Sequence, residues 1–261
     1  MSLARHHARS RREALMKVYA SYNIKGGVGK TSTAVNLAHL ASAEGRRTLL
    51  WDLDPQAAAT YMFKVKPRVK GGGHGLVTGK RPLEDAIRAT DFGDLDLLPA
   101  DFSYRNLDLE LDDAKKRTRR LDQLIGSLPG VYDVVFLDCP PSISLMSENV
   151  LHAADTLVVP LVPATLSVRT FEQLKSFVAD SDKPRPDLVA FFSMVDRRKR
   201  LHGQVVDSIA RDGGARVART EIPALSIIEQ MAERQAPVTA FAPRSRAALL
   251  YQRLWAEVRA A

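Results

Sequence analysis

Cysteine is almost missing from this chain: Cys139 is the only one in 261 residues. An internal disulfide is therefore impossible, and a metal site or iron–sulfur cluster held by cysteines lacks its ligands. No apolar run is long enough to span a bilayer, and the first residues lack the charged, apolar, small order of a signal peptide. No internal repeat is present. These absences make a cytoplasmic location the expectation.

What is present is ordinary for a globular chain, 45% hydrophobic and 26% charged, and long enough to bury a full core as one large domain. The charge is unbalanced, with 38 Lys and Arg against 30 Asp and Glu, a net +8. Arg5, Arg9, Arg11 and Arg12 stand against Glu13 in the first fifteen residues, yet the remainder is still basic. Such an excess suits an anionic partner, nucleic acid or an acidic membrane surface, and equally a solubilising surface. Residues 1–15 have no apolar periodicity and read as a mobile basic tail, so that Met16 could be the biological start of a single domain over 16–261. The pair His6-His7 is too short to argue for metal.

From Val18 onward, short and nearly continuous apolar runs alternate with longer helical ones. Strands are expected at Val18–Asn23, Thr48–Leu53, Leu95–Leu98, Val134–Asp138, Thr156–Pro160 and Leu188–Val195. Helices are expected at Thr31–Ala43, Leu166–Ala179 and Leu201–Arg211. This alternation predicts an α/β fold, a doubly wound, mostly parallel sheet with helices on both faces. Residues 64–82, basic and glycine-rich, read as a mobile loop, and 107–125 as a solvated helix with acids first and bases later.

"YNIKGGVGKTS" (22–32) follows the first apolar run and opens a helix. Glycines at Gly26, Gly27 and Gly29 let backbone N–H groups, Val28 included, converge on phosphate oxygens, and the helix N-terminus adds partial positive charge. Lys30 then reaches the β- and γ-phosphates, Thr31 offers its hydroxyl to Mg²⁺, and Ser32 is placed for the α-phosphate. The pattern G-x-x-x-x-G-K-[ST] asks for glycine at position 24, where Ile24 stands; Lys25 is instead a second lysine to explain. Two further strands end in acids. "TLLWDLDPQ" (48–56) carries Asp52 and Asp54 on one face of a strand, at the carboxyl edge that borders a ligand crevice, and Asp52 is read as supporting the Mg²⁺ shell. "DVVFLDCPPS" (133–142) places Asp138 to hold Mg²⁺ through water near Thr31, with Cys139 a packed small residue.

Lys-Gly-Gly-Val-Gly-Lys-Thr (25–31) resembles the deviant Walker A ATPases of the ParA/MinD type, most closely the small ParA proteins. The likeness extends over "LDLLPA" (95–100), "VVPLVPATLSVRTFEQL" (158–174), "SMVDRRKRL" (193–201) and "EIPALSIIEQM" (221–231). It implies ATP and Mg²⁺ as ligands and a homodimer formed on ATP binding, in which Lys25 crosses to the partner's nucleotide. Asp54 would position the attacking water, and Pro223 would border the adenine or merely start a helix. With no arginine finger evident, hydrolysis should be slow until a ParB-like or other adaptor stimulates it. One departure is that the family's frequent D-P-Q-G-N reads Asp54-Pro55-Gln56-Ala57-Ala58 here, so the turn after the acid could differ.

The resemblance further implies non-specific DNA binding through Arg198, in the basic run Arg197, Arg198, Lys199 and Arg200. Basic side chains at a helix N-terminus oppose its dipole, whereas backbone phosphates would explain them. The cargo implied is DNA or a protein assembly, positioned on the nucleoid. The alternative is a MinD-like membrane-associated ATPase, resting on the last helix, where Ala247, Leu250, Leu254 and Val258 form a stripe. Pro243 is read as starting that helix directly, and packing onto the domain is the more economical use of the stripe.

Overall fold

The computed structural model describes residues 16–113, 117–128, 130–180, 186–196, 198–199, 202, 205, 209 and 216–261. The fifteen-residue tail, Arg197 and Arg200 lie outside them, as does the helix expected over 201–211 except for His202, Val205 and Ile209, which are helical and buried.

The strands are β1 (Lys17–Ser21), β2 (Thr48–Asp52), β3 (Arg88–Ala89), β4 (Leu95–Leu98), β5 (Val134–Asp138), β6 (Thr156–Leu161), β7 (Asp187–Val195), β8 (Arg216–Val217) and β9 (Ile222–Pro223). They form one sheet in the order β3-β4-β2-β5-β1-β6-β7-β8, with β9 on β7, parallel throughout except where β3 meets β4. The expected α/β architecture is therefore observed, and each expected strand lies within two residues of its position. Alternate residues of each strand enter two separate cores. Val18, Ala20, Leu49, Trp51, Val135 and Leu137 face one side, while Tyr19, Leu50, Val134 and Phe136 face the other. Near-continuous apolar runs are what a sheet covered on both faces requires.

On the first face lie α3 (Gly72–Val77), α4 (Leu107–Asp112), α5 (Arg120–Ile125), α6 (Leu145–Ala153) and α7 (Thr165–Ala179). The second face carries α1 (Lys30–Ala43), α2 (Ala58–Met62), α8 (Ser226–Arg234), α9 (Val238–Phe241) and α10 (Arg246–Val258). Two expectations are corrected here. Residues 64–82 contain the helix α3, whose Gly73 is a packing residue: a Cβ there would lie 2.6 Å from Leu107 Cδ2. Residues 107–125 are not one solvated helix; α4 and α5 are separate and bury Leu107, Leu111, Leu121, Leu124 and Ile125.

The last helix also departs in its start. Ser245, not Pro243, caps α10 by accepting from the Ala248 N–H at 3.2 Å. Its apolar stripe is spent on the domain: Ala247, Leu254, Trp255 and Val258 are buried, and the Trp255 ring meets Tyr19 edge-on at 5.3 Å. Glu257 pins the segment before β9, accepting from Arg219 N–H, Thr220 N–H and the Thr220 hydroxyl. No helix among the described residues is long and apolar enough to cross a membrane.

After β2 the chain turns through Ala57, whose φ of 57° is left-handed. The turn thus has the backbone shape a glycine would give, with alanine supplying it at a cost of roughly 1–2 kcal/mol. The glycine's greater freedom in the unfolded chain offsets part of that cost. Ala57→Gly is expected to raise Tm by about 1–3 °C in a thermal melt; a lower Tm would show that the turn carries no strain.

Candidate functional site

β1 sits between β5 and β6, and the glycine-rich turn leaves its carboxyl end. Three polar side chains tie this turn to the sheet. Ser21 Oγ donates to the Lys30 carbonyl at 2.8 Å, Asn23 Nδ2 to the Pro160 carbonyl at 2.8 Å, and Ser193 Oγ to the Val28 carbonyl at 2.7 Å. Ile24, at the position the regular motif gives to glycine, packs against the first-face core. Asn23 Oδ1 accepts from the Lys25 N–H at 2.9 Å, shaping the start of the loop. Gly27 and Gly29 adopt left-handed φ of 69° and 93°, and a Cβ built on either would meet no atom within 4 Å. α1 then begins with Gly29 as its N-cap, with no side chain capping it. The N–H groups of its first turn are therefore presented to the cradle's open side, the arrangement that attracts anions.

The two lysines differ. Lys30 is buried and its Nζ donates to the Lys25 carbonyl at 2.9 Å. Burial lowers its pKa, while the charges of Asp138, Cys139 and Asp54 oppose that shift. Lys25 is half-buried, and among the described residues no carboxylate pairs with its ammonium. Thr31 and Ser32, also half-buried, form the first turn of α1.

Strand register decides the acids. Asp52 and Asp138 are direct partners across β2 and β5, and Ser21 partners Asp138 across β1. Both aspartates are wholly buried. Burial raises the Asp138 carboxyl well above the usual range and the neighbouring Asp52 charge adds to the rise; the Thr31 hydroxyl opposes it, Asp54 adds to it and Lys30 opposes it. Among the described residues no donor meets either Asp138 oxygen in good hydrogen-bond geometry, although the Thr31 hydroxyl stands near enough to favour the charged form. Asp52 is pushed up to about 6, again mainly by burial, against bonds from Thr60 and Asp54. Its Oδ1 accepts from the Asp54 N–H at 3.2 Å, and its Oδ2 from the Thr60 N–H at 2.8 Å and hydroxyl at 2.7 Å. Asp52 is thus engaged within the protein on both oxygens. Asp54 is half-buried, and its Oδ1 accepts from the Gln56 N–H at 2.9 Å.

A buried carboxylate without a donor is rare and calls for a cation. Asp138, with the Thr31 hydroxyl side of α1 beside it, fits a divalent ion that takes most of its remaining oxygens from phosphate and water. In agreement, no cluster of three or more His, Cys, Asp or Glu among the described residues forms a ready-made cage. Cys139 is buried and its thiol pKa is raised by burial, which leaves it a packing residue.

The remaining predicted residues lie farther along the same edge of the sheet. Pro223 lies on β9, half-buried; it does not start a helix, since α8 begins at Ser226. Beside it β7 bulges at Met194, whose φ is 52°. Arg198 forms a two-pronged pair with Asp196, Nε to Oδ1 at 2.9 Å and Nη2 to Oδ2 at 2.9 Å, and this pair holds the Asp196 carboxyl at about 2. Lys199 is exposed. Sequence reading missed Ser21, Asn23, Ser193 and Thr60, although small polar residues interrupting apolar runs were the available signal.

The family described as an AAA domain matches residues 16–188. The sporulation initiation inhibitor protein Soj of Bacillus subtilis is 32% identical over 249 residues, covering 94% of this chain and 98% of Soj. The chromosome partitioning protein ParA of Caulobacter vibrioides is 33% identical over 215 residues, 80% of each chain. Among solved structures, a cobyrinic acid a,c-diamide synthase from Mycobacterium smegmatis with bound ATP analog and magnesium superposes with a TM-score of 0.80 at 29% identity, covering 93% of both chains. An alignment that leaves almost none of Soj uncovered reaches far beyond the phosphate loop, and on that ground this chain belongs to the ParA-type ATPases.

Proposed function

We propose that this chain is a positioning ATPase that binds Mg-ATP, closes into a homodimer and binds duplex DNA without sequence preference. It releases both partner and DNA when a ParB-like or other adaptor triggers hydrolysis, and the cargo is DNA or a protein assembly carried on the nucleoid. The observation that carries the reading is the charge balance at the sheet's carboxyl edge. Buried acids and an open anion cradle adjoin, and one lysine at the mouth of the loop has no carboxylate partner among the described residues.

In this reading the backbone N–H groups of Gly26 to Lys30 hold the phosphates, and Ser32 and Thr31 close the first turn of α1 around them. Lys30 exchanges the Lys25 carbonyl for phosphate oxygens. Magnesium, when bound, supplies charge neutralisation across the phosphates; Asp138 and Thr31 would hold it, with Asp52 supporting that pair from behind. Asp54 orients the attacking water, Pro223 borders the adenine, and Lys25 extends to the nucleotide of the second subunit. Burying so much anionic charge at an interface needs cations from both sides. Exposed Ile143, Leu166 and Met194, which follow or end β5, β6 and β7, offer apolar surface around the same edge for that contact. Arg198 and Lys199, with Arg197 and Arg200 of the same run, face DNA phosphates; the Asp196 pair orients Arg198 and reduces its free charge.

In sedimentation with a non-hydrolysable ATP analogue and Mg²⁺, the wild type should run as a dimer. Lys25→Ala should run as a monomer while binding the analogue within about tenfold of wild type, since one cation of several is lost. A dimeric Lys25→Ala would remove the cross-subunit role. Bound to arbitrary duplex, the dimer should lose affinity steeply with salt, and Arg198→Ala with Lys199→Ala should lower the log–log slope by about 2; an unchanged slope would take DNA away from this run.

Burial of the acids also gives a pH prediction. The folded chain keeps protons on Asp52, at about 6, and on Asp138 where the unfolded chain has released them. Stability of the nucleotide-free protein therefore falls as pH rises from roughly 4, the unfolded carboxylate range. Asp138→Asn should raise its Tm at pH 7.5 by about 3 °C or more while abolishing the Mg²⁺ dependence of nucleotide binding. A Tm lowered by the substitution would mean that the carboxylate is stabilising as it stands.

A further inference from the structure

Thr60 is wholly buried on the second turn-forming segment after β2, in the short helix α2. A polar side chain in that position must be satisfied by the protein, and Thr60 is satisfied at both ends. Its Oγ1 accepts from the Ala100 N–H at 2.9 Å and donates to Asp52 Oδ2 at 2.7 Å. A hydroxyl has one proton, so with the Ala100 N–H directed at the oxygen the proton belongs to the carboxylate. The Thr60 backbone N–H reinforces the grip on the same Oδ2 at 2.8 Å. With that oxygen fixed, Oδ1 faces the Asp54 N–H at 3.2 Å.

The bonds run in one line from Ala100, just past β4, through Thr60 and Asp52 to the backbone of Asp54. The turn that they end on is closed by the Ala57 N–H, which donates to the Asp54 carbonyl at 2.9 Å, and is tied to β5 by the Leu53 N–H, which donates to the Asp138 carbonyl at 2.9 Å. The Asp52 carboxylate adds a tether on the Asp54 N–H itself. Among the described residues the Asp54 carboxylate accepts only from the Gln56 N–H within the turn, and Ala57 is held at a left-handed φ of 57°. Asp52 in turn stands beside Asp138 in register, with no cation side chain among the described residues hydrogen-bonded to it. Its orientation is therefore set by Thr60, and the tether it gives the Asp54 backbone follows that orientation.

From this line of bonds we infer that Thr60 is a positioning residue for hydrolysis: its hydroxyl fixes the Asp52 carboxylate, which sets the turn carrying Asp54. The inference rests on the ATPase reading above, in which Asp54 orients the attacking water. Thr60 touches neither nucleotide nor water in this scheme; it acts through Asp52, so its loss should alter turnover and leave nucleotide binding nearly intact. A role in packing alone would change melting temperature and leave turnover per folded molecule unchanged.

The test uses the full chain and three readouts: phosphate release at varied Mg-ATP, affinity for an ATP analogue, and thermal melting. Thr60→Val keeps the shape and removes the hydroxyl; Thr60→Ser keeps the hydroxyl. At a temperature well below both melting points, Thr60→Val should lower kcat about tenfold or more while KM and analogue affinity stay within about threefold, because a displaced turn costs orientation. Thr60→Ser should hold kcat within about threefold of wild type. Wild-type kcat in Thr60→Val, or a loss that Thr60→Ser does not recover, overturns the inference. Should Thr60→Val fail to fold, Thr60→Ala against Thr60→Ser is judged by the same criteria. A wild-type chain that neither binds nor hydrolyses Mg-ATP would instead sink the ATPase reading on which the inference rests, and the wild-type measurements tell these failures apart.

Discussion

Asp52 and Asp138 end neighbouring parallel strands in register, both wholly buried, and the rest of the site follows from that juxtaposition. Two carboxylates cannot both be charged in a dry environment without compensation. The structure compensates one of them internally, with three donors on Asp52, and leaves Asp138 without a well-placed donor among the described residues, the Thr31 hydroxyl only standing near it. The uncompensated acid lies where the phosphate loop of β1 opens, next to a buried lysine whose pKa is itself lowered by burial. A divalent cation and a polyphosphate together would satisfy the acid, the lysine and the uncapped helix N-terminus at one stroke. The site is poised for a ligand because the protein alone cannot balance it.

The fold's part is to hold this unbalanced arrangement rigid. Parallel strands bring acids and loop to one edge by register. The loop is fastened to three strands, by Ser21 at the end of β1, by Asn23 to Pro160 of β6 and by Ser193 of β7, so three points of the sheet fix it. On the second face, Thr239 bonds Asn36 and His39 of α1 through its hydroxyl, which couples the phosphate-loop helix to the C-terminal segment. The buried stripe of α10 belongs to the same core, so the end of the chain is structural here and the feature behind a membrane-seeking reading is absorbed into packing.

Much of this was legible in the residues. Strands covered on both faces are apolar almost throughout, which is why β5 could be bounded at its closing acid and β4 despite the Asp96 within it. Acids ending such runs are conspicuous for the same reason, and Lys25 stood out because a phosphate loop needs only one lysine. The rest was hidden for physical reasons. Glycines at 71–75 look like flexibility, but Gly73 is there because Leu107 leaves no room for a side chain. The acid-to-base order of 107–125 suits a continuous helix, whereas the structure has two short ones, one burying Leu107 and Leu111 and the other Leu121 and Leu124. The missing glycine after D-P-Q suggested a different turn, while Ala57 takes up the glycine-like conformation. Serines and threonines within apolar runs read as neutral in a pattern and become fasteners only when their partners, 165 residues away for Ser193 and Val28, are known.

The account's central claim is that balancing the nucleotide takes cations from two copies of the chain, Lys30 from within and Lys25 from the partner. Mixing two inactive variants tests it most directly. Lys25→Ala keeps its own Asp54, and Asp54→Ala keeps a Lys25 to lend. If the lysine acts across the interface, a mixed dimer contains one site with Asp54 intact and a lysine supplied by its partner, and ATP hydrolysis should reappear on mixing. If the mixture hydrolyses no faster than the two variants measured apart, although mixed dimers form, the lysine serves its own subunit and the shared site does not exist.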